Sequence, residues 1–182
     1  MSASWARRDP RQDKSVTIEQ HPMVEKALQF ATAAHEGQLR KYTFKPYITH
    51  PIAVSRLAAT VSEDHGMMAA ALLHDTVEDP YVTHADIERE FGAYVATLVE
   101  NLTDVSKPED GNRAARKAID LAHTADALPQ AKTVKLADLI DNSSSIIQHD
   151  PGFARVYMKE KRALLEVLRE GDARLYAQAE KV

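Results

Sequence analysis

A run of small and apolar residues, 67–73, leads directly into the ionisable hexapeptide His74-Asp75-Thr76-Val77-Glu78-Asp79. An uninterrupted apolar run is typical of a helix that is buried on all sides. If that helix continues, residues four apart share a face, so the two late carboxylates lie one turn beyond the His-Asp pair. Charges buried in this way are destabilising unless they are paired or coordinated. The sequence therefore predicts a metal site at the end of a core helix.

The composition is that of an ordinary globular chain and excludes several classes of protein. A chain of 182 residues with 44% hydrophobic and 27% charged residues suits one domain with a sizeable core. The formal net charge of -4 argues against nucleic acid as a main partner, because duplex binders normally carry a basic excess. The absence of cysteine excludes disulfides and thiolate metal sites. With neither a signal peptide nor a membrane-spanning stretch, we expect a cytoplasmic protein without a membrane partner.

Helical periodicity without any period-two alternation predicts an all-α fold, a single helical bundle. Residues 1–20 are polar, and we interpret them as a flexible N-terminal arm in front of a domain formed by residues 21–182. Apolar spacing, proline and glycine predict the helix positions. Helices are expected to begin at His21-Pro22, at His50-Pro51 and after Gly66, and to cover 85–91, 93–102, 113–125, 130–149 and 153–170, with a short one after Gly171.

Asp138 is a further candidate ligand, because it lies on a polar stripe of an otherwise apolar helix. The stripe consists of Lys135, Asp138, Asn142, Ser145 and His149. The apolar residues of this helix wrap widely around it, so we interpret the stripe as the lining of a polar cavity rather than a face in solvent. A second His-Asp pair, 149–150, is better explained as an ordinary helix end before Pro151.

His50 is the fourth candidate ligand, although alone it is better explained as a helix-capping residue. The full candidate set is His50, His74, Asp75 and Asp138. Two imidazoles with two carboxylates suit Mn²⁺, Fe²⁺ or Zn²⁺, and the oxygen share favours a hard, six-coordinate ion such as Mn²⁺. Such an ion can acidify water and polarise a phosphoryl oxygen. Glu78 and Asp79 are then placed to act as general acid or base, or to orient the water.

Several short segments follow one another in an order that matches a known family. They are 35–41 (HEGQLRK), 46–51 (PYITHP), 71–79 (ALLHDTVED), 91–92 (FG), 102–104 (LTD) and 134–138 (VKLAD), followed by Asn142. The chain resembles the HD-domain phosphohydrolases over roughly residues 22–170. Within them it is most similar to the hydrolase domain of RelA/SpoT-type proteins in its stand-alone form, the small alarmone hydrolases.

The resemblance implies an HD-domain helical bundle that hydrolyses the 3′-pyrophosphate of alarmone nucleotides with Mn²⁺ as cofactor. It implies that pyrophosphate and the 5′-nucleotide are released. It implies metal ligation by His50, His74, Asp75 and Asp138, and a catalytic pair formed by Glu78 and Asp79. It assigns substrate contacts to Arg40, Lys41, Asn142, Ser145 and Tyr157. Further basic residues, Arg113, Arg116, Lys117 and Lys135, are better explained individually as solvated helix surface.

Two segments differ from the pattern of the family, and both lie near the expected base pocket. The loop 42–45 lacks the glycine usually found before the Pro-Tyr pair, and 139–145 lacks the basic or histidine residues that relatives often carry. The base is therefore open between guanine, as in (p)ppGpp, and adenine, as in (p)ppApp. An HD phosphohydrolase acting on another nucleotide 3′-phosphate and a non-catalytic alarmone-binding sensor are alternatives. A structural helical domain is a third, and the oligomeric state is not indicated.

Overall fold

The computed structural model of the chain describes residues 21–78 and 80–182, and across these ranges it contains helices and no β-strand. The all-α prediction is confirmed. The α-helices are α1 (Pro22–Ala34), α2 (Thr49–Ala59), α3 (His65–Leu73), α4 (His84–Phe91), α5 (Ala93–Leu102), α6 (Arg113–Ala125), α7 (Pro129–His149), α8 (Pro151–Val167) and α9 (Ala173–Lys181). The predicted N-terminal arm, residues 1–20, and Asp79 lie outside the described residues. None of the described helices is long and apolar enough to cross a bilayer.

Side-chain caps fix several of the helix ends where the sequence predicts them. Thr83 and Asp86 form a capping box at the start of α4, in which each side chain accepts a hydrogen bond from the backbone of the other. His21 caps α1 through Nδ1, which accepts from a backbone N–H of the first turn at 3.3 Å. Asp150 caps α8 by accepting from the N–H of Phe153 at 3.0 Å. The second His-Asp pair is thus a junction between α7 and α8, as interpreted.

Helix α3 is the centre of the bundle. All its residues from Gly66 to Leu73 are buried, and it packs against α1, α2, α5 and α7. Three consecutive alanines, 69–71, allow these neighbours to approach closely. Because the helix is surrounded, the residue that follows it emerges inside the molecule, and His74 is only 3% exposed. The prediction of a buried apolar helix leading into ionisable residues is confirmed.

The helix ends earlier than predicted, at Leu73, and residues Thr76–Glu78 form a separate 3₁₀ turn. The hydroxyl of Thr76 donates to the carbonyl of Leu73 at 2.7 Å, so a side chain occupies an acceptor at the helix end. Pro80 lacks an N–H and disfavours a helical residue before it, so the α-helix does not resume there. The predicted helical spacing between His74 and Glu78 is therefore wrong, while the spacing from Asp75 to Asp79 lies outside the described residues.

The loop between α1 and α2 contains a residue in the left-handed conformation. Phe44 has a φ of 55° and its side chain is largely exposed. An isolated bridge between Leu39 and Pro46 closes the loop around it. This loop is the one that lacks glycine, and Phe44 adopts there a conformation that glycine adopts without steric cost. It does so at a cost of roughly 1–2 kcal/mol, since a Cβ atom clashes with the following carbonyl oxygen.

Phe44→Gly is expected to raise the free energy of unfolding by roughly 0.5–1 kcal/mol, because the steric relief exceeds the greater backbone entropy of glycine in the unfolded chain. Urea denaturation followed by circular dichroism measures this difference. Lys45→Gly is the matched control, since Lys45 is not in the left-handed region, and it should be neutral or destabilising. Equal destabilisation by both substitutions would contradict the expected strain at Phe44.

Candidate active site

Three of the predicted ligands meet at the buried end of α3. His50 lies in the first turn of α2, while His74 and Asp75 directly follow α3. Their ligand atoms all lie within 4.8 Å of one another. The Nε2 atoms of His50 and His74 lie 3.7 Å and 3.2 Å from the same oxygen, Oδ2 of Asp75. Packing of α2 against α3 therefore assembles a cluster of residues that are distant in sequence.

Asp138 joins this cluster from α7. Its Oδ1 atom lies 3.2 Å from Nε2 of His50, and the residue is buried. Helix α7 is buried along most of its first half, so the polar stripe on which Asp138 lies faces the interior at this point. The structure thus brings all four predicted ligands together.

Both imidazoles direct Nε2 into the cluster because Nδ1 is occupied elsewhere. Nδ1 of His74 donates to the carbonyl of Ala71 at 2.9 Å, and Nδ1 of His50 donates to Oδ2 of Asp141 at 2.7 Å. A neutral imidazole that donates through one nitrogen carries its lone pair on the other. Within the described part of the chain, the buried Nε2 of His74 has no hydrogen-bond partner. An unpaired buried acceptor is destabilising, and a bound cation would satisfy it.

The charges around the cluster also favour a cation. Burial lowers the pKa of His50, but hydrogen bonds with Asp138 and Asp141 more than offset this and raise it to about 9. Burial alone would raise the pKa of Asp138. The positive charge of Lys135 and the contact with His50 outweigh this effect of burial and hold the pKa of Asp138 well below its usual range. The carboxylates around His50 therefore favour a positive charge at this point, and His50 retains its proton there. Two imidazole nitrogens and two carboxylates at this point fit a divalent metal ion.

Three side chains that support the ligands were not assigned to the site from the sequence. Tyr47 donates from its hydroxyl to Oδ2 of Asp75 at 2.7 Å, and burial and that carboxylate raise the pKa of Tyr47 well above its usual range. Lys135, on the polar stripe of α7 but individually interpreted as solvated, is instead largely buried, with Nζ 3.4 Å from Asp138. Asp141 is the third, and it accepts the hydrogen bond from Nδ1 of His50. The position of Tyr47, one turn before His50, could have indicated its role.

Glu78 lies at the solvent side of the cluster. Its side chain is exposed, yet partial desolvation and the charges of Asp75 and Asp104 raise its pKa. A carboxyl group with a raised pKa exchanges a proton more readily near neutral pH than an ordinary one. Glu78 is therefore suited to proton transfer beside the cluster. Its predicted partner Asp79 lies outside the described residues, so its role stays a prediction.

Two cavities flank the cluster and divide the predicted substrate residues between them. The smaller has a volume of about 230 Å³, and it is lined by Arg40, Lys41, Tyr42, Tyr47, His50, Asn142, Ser145, Ile146 and Phe153. The larger has a volume of about 530 Å³ and includes Lys135, Asp138, Asn142 and Tyr157 in its lining. Asn142 borders both, and its amide donates to Oδ1 of Asp138 at 2.6 Å. Tyr157 thus shares a cavity with Asn142 but not with Arg40, Lys41 or Ser145.

The two basic residues of the smaller cavity are held in different ways. Arg40 pairs with Asp141, with Nη2 2.6 Å from Oδ2. Lys41 is mostly exposed and lies over the rings of Tyr42 and Phe153, with Nζ 4.9 Å and 5.9 Å from their centroids. Such stacking orients a cation without neutralising it. The cavity therefore has one largely buried and one largely exposed positive group beside an aromatic wall.

Two basic residues of the larger cavity, Arg113 and Lys117, are paired with acids. Arg113 makes two hydrogen bonds of 2.7 Å each with Glu160, and Lys117 donates to Asp104 at 2.6 Å. Pairs of this kind are exposed enough to be exchanged for a ligand at little cost. The smaller cavity is similar in this respect, since Arg40 pairs with Asp141 and Nζ of Lys41 lies 3.9 Å from Asp150. Basic side chains therefore border both cavities.

Comparisons with known proteins bear on the family of the chain. The HD-domain family model matches residues 27–156. The Xenopus tropicalis protein named guanosine-3′,5′-bis(diphosphate) 3′-pyrophosphohydrolase MESH1 is 38% identical over 123 residues, which are 66% of this chain and 67% of that protein. The Escherichia coli K12 protein named bifunctional (p)ppGpp synthase/hydrolase SpoT is 37% identical over 116 residues, which are 64% of this chain and 16% of SpoT. The chain spans only 15–20% of the length of the first long relatives that it matches.

A solved structure shares the fold over most of both chains. It is that of a metazoan orthologue of SpoT described as hydrolysing ppGpp, with a TM-score of 0.79 and 30% sequence identity. The match covers 88% of this chain and 93% of the other. The chain therefore belongs to the HD-domain family, in the group that includes MESH1 and the matching segment of SpoT.

Proposed function

We propose that this chain is a metal-dependent pyrophosphohydrolase that removes the 3′-pyrophosphate of (p)ppGpp-like alarmones. The observation that carries the proposal is the buried cluster of His50, His74, Asp75 and Asp138 beside a cavity with two basic residues. The relatives named as 3′-pyrophosphohydrolases support the reaction and the substrate class, above all MESH1, which is matched over 67% of its length.

We propose Mn²⁺ as the ion, held by His50, His74, Asp75 and Asp138. A set of two nitrogen and two oxygen donors that leaves further positions open suits a hard, six-coordinate ion. When bound, such an ion polarises a phosphoryl oxygen and acidifies water. Tyr47 donates a hydrogen bond to Asp75, Lys135 forms an ion pair with Asp138, and Asp141 accepts a hydrogen bond from His50. These contacts hold the ligands in the orientation that binding requires.

In the proposed reaction, a water oxygen adds to the phosphorus and the bond between that phosphorus and the ribose 3′-oxygen breaks. The water loses a proton, and the 3′-oxygen leaves with one. Glu78, whose pKa is raised, would take or deliver a proton at these atoms, and Asp79 would be its partner. The products are pyrophosphate and the 5′-nucleotide.

The nucleoside is expected in the smaller cavity, next to Arg40 and Lys41. A guanidinium can stack on a purine and also form paired hydrogen bonds with phosphate, whereas an ammonium acts as a mobile point charge. Asn142 and Ser145 lie on the α7 wall of this cavity and present groups for a ribose. Tyr157 lines the larger cavity. We therefore propose that it contacts the part of the nucleotide that extends past Asn142 into that cavity.

We extend the proposal to adenine alarmones such as (p)ppApp, since the loop 42–45 borders the base cavity. Asp141, one of the residues that differ from the family pattern, is engaged by Arg40 and His50. It therefore gives no reason to prefer either base, and the loop alone carries this part of the proposal.

Incubation of the purified chain with Mn²⁺ and ppGpp or ppApp, followed by separation of the products, tests the proposal. The expected result is equal amounts of pyrophosphate and 5′-diphosphate nucleoside. Faster turnover of a nucleotide with a single 3′-phosphate would favour an HD phosphohydrolase of another specificity. Tight alarmone binding without product would favour a sensor. Consumption of neither alarmone, with no binding, would refute both readings.

A further inference from the structure

One oxygen atom of Asp141 joins the metal cluster to the smaller cavity. Its Oδ2 accepts from Nδ1 of His50 at 2.7 Å and from Nη2 of Arg40 at 2.6 Å. The three residues come from different elements: α7, the first turn of α2 and the loop before α2. A single carboxylate oxygen therefore contacts both a candidate metal ligand and a candidate substrate residue.

The ring nitrogen of His50 that Asp141 contacts decides whether Asp141 can be a metal ligand or can only support one. It lies at Nδ1, while Nε2 of His50 faces Asp138 and Asp75 at 3.2 Å and 3.7 Å. The ring stands between this oxygen and the cluster, so the oxygen supports His50 instead of joining the ligand set. A carboxylate at this position fixes the Nδ1–H tautomer and makes Nε2 a stronger donor to a metal.

The other contact fixes Arg40. This side chain is only 17% exposed, whereas that of the neighbouring Lys41 is 75% exposed. A long side chain loses rotamer freedom when it is held, and here the ion pair holds it at the wall of the cavity before a ligand arrives. Arg40 also partly neutralises the carboxylate, so it reduces the degree to which Asp141 strengthens Nε2 of His50 as a donor to a metal.

We propose that Asp141 is a positioning residue that sets metal affinity through His50 and fixes Arg40 for the nucleotide with the same oxygen. The part that concerns the nucleotide rests on the proposed function; the part that concerns the metal does not. Two consequences follow from this arrangement. Loss of the Asp141 charge should weaken metal binding and substrate binding together, whereas loss of Arg40 should weaken substrate binding alone.

The test is calorimetric titration of Mn²⁺ into the metal-stripped full chain, with KM and kcat for ppGpp measured separately. Asp141→Asn should weaken Mn²⁺ affinity by roughly 10–100-fold, as loss of the carboxylate partner of a metal-bound histidine does. It should also raise KM. Arg40→Ala should raise KM without weakening Mn²⁺ affinity, because Arg40 contacts none of the four ligands and its loss leaves the full charge of Asp141 to act on His50.

Asp150→Asn is the matched control. Asp150 holds the same loop from the other side, through the hydroxyl of Tyr42 at 2.9 Å, and contacts no candidate ligand. Asparagine can still cap α8. This variant should keep the Mn²⁺ affinity of the parent, so a weaker affinity there would show that any damage to the loop has the effect, and would overturn the proposal.

An Asp141→Asn variant with the parent's Mn²⁺ affinity would also overturn it. If that variant does not fold, Asp141→Glu decides, because it keeps the charge but displaces it; it should still weaken Mn²⁺ affinity measurably, and an unchanged affinity overturns the proposal. A parent chain that binds Mn²⁺ but hydrolyses no alarmone refutes the proposed function only. The titrations then still test whether Asp141 acts through His50.

Discussion

His74→Ala is expected to abolish Mn²⁺ binding at micromolar concentrations and to lower the rate of ppGpp hydrolysis by roughly 1,000-fold or more, since loss of a ligand exceeds the 10–100-fold effect of a supporting residue. Its Nε2 atom is buried, has no hydrogen-bond partner among the described residues and faces the other ligands. Its Nδ1 atom donates to a backbone carbonyl, which favours the orientation in which Nε2 faces the cluster. Metal content after dialysis and initial rates measure the two effects.

His84→Ala is the matched control for this substitution. His84 is exposed at the start of α4, away from the cluster, so metal content and rate should equal those of the parent. Circular dichroism on both variants separates loss of metal from loss of fold. A His74→Ala protein that folds, keeps its metal and hydrolyses ppGpp would remove His74 from the ligand set.

Glu78→Gln is expected to lower kcat by roughly 10²–10⁴-fold, the usual contribution of a positioned acid or base. Mn²⁺ affinity should change little, because Glu78 is not one of the converging ligands. Glutamine keeps the size of the side chain and a hydrogen-bonding group, but it cannot exchange a proton and carries no charge. Single-turnover rates at saturating Mn²⁺, together with the metal titration, measure the two quantities.

Glu88→Gln serves as the control for this second substitution, since Glu88 is an exposed carboxylate on α4. It should leave both quantities unchanged. If Glu78→Gln turned over at the parent rate, the proton transfer would have to be assigned to another group, with Asp79 as the first candidate. A large loss of Mn²⁺ affinity would instead make Glu78 a ligand.

Much of the fold could be predicted because helical signals are local. The apolar run 67–73 predicts a buried helix, and Thr83 with Asp86 predicts a cap, since each involves residues within one or two turns. The hexapeptide shows the limit of such reasoning. Its residues are compatible with a continued α-helix, but the Thr76 hydroxyl competes for a carbonyl at the helix end, and a 3₁₀ turn results.

The residue types and order of the chain alone determined the candidate ligand set, because imidazole and carboxylate are the side chains that such an ion requires. Only the tertiary structure decided how they meet. Packing of α2, α3 and α7 brings His50 within 3.2 Å of Asp138 and places Asp141 behind it. The same packing separates Tyr157 from Arg40 by dividing the site into two cavities. Periodicity shows which face of a helix is polar, but the partner of that face depends on contacts between residues far apart in the chain, which no local pattern encodes.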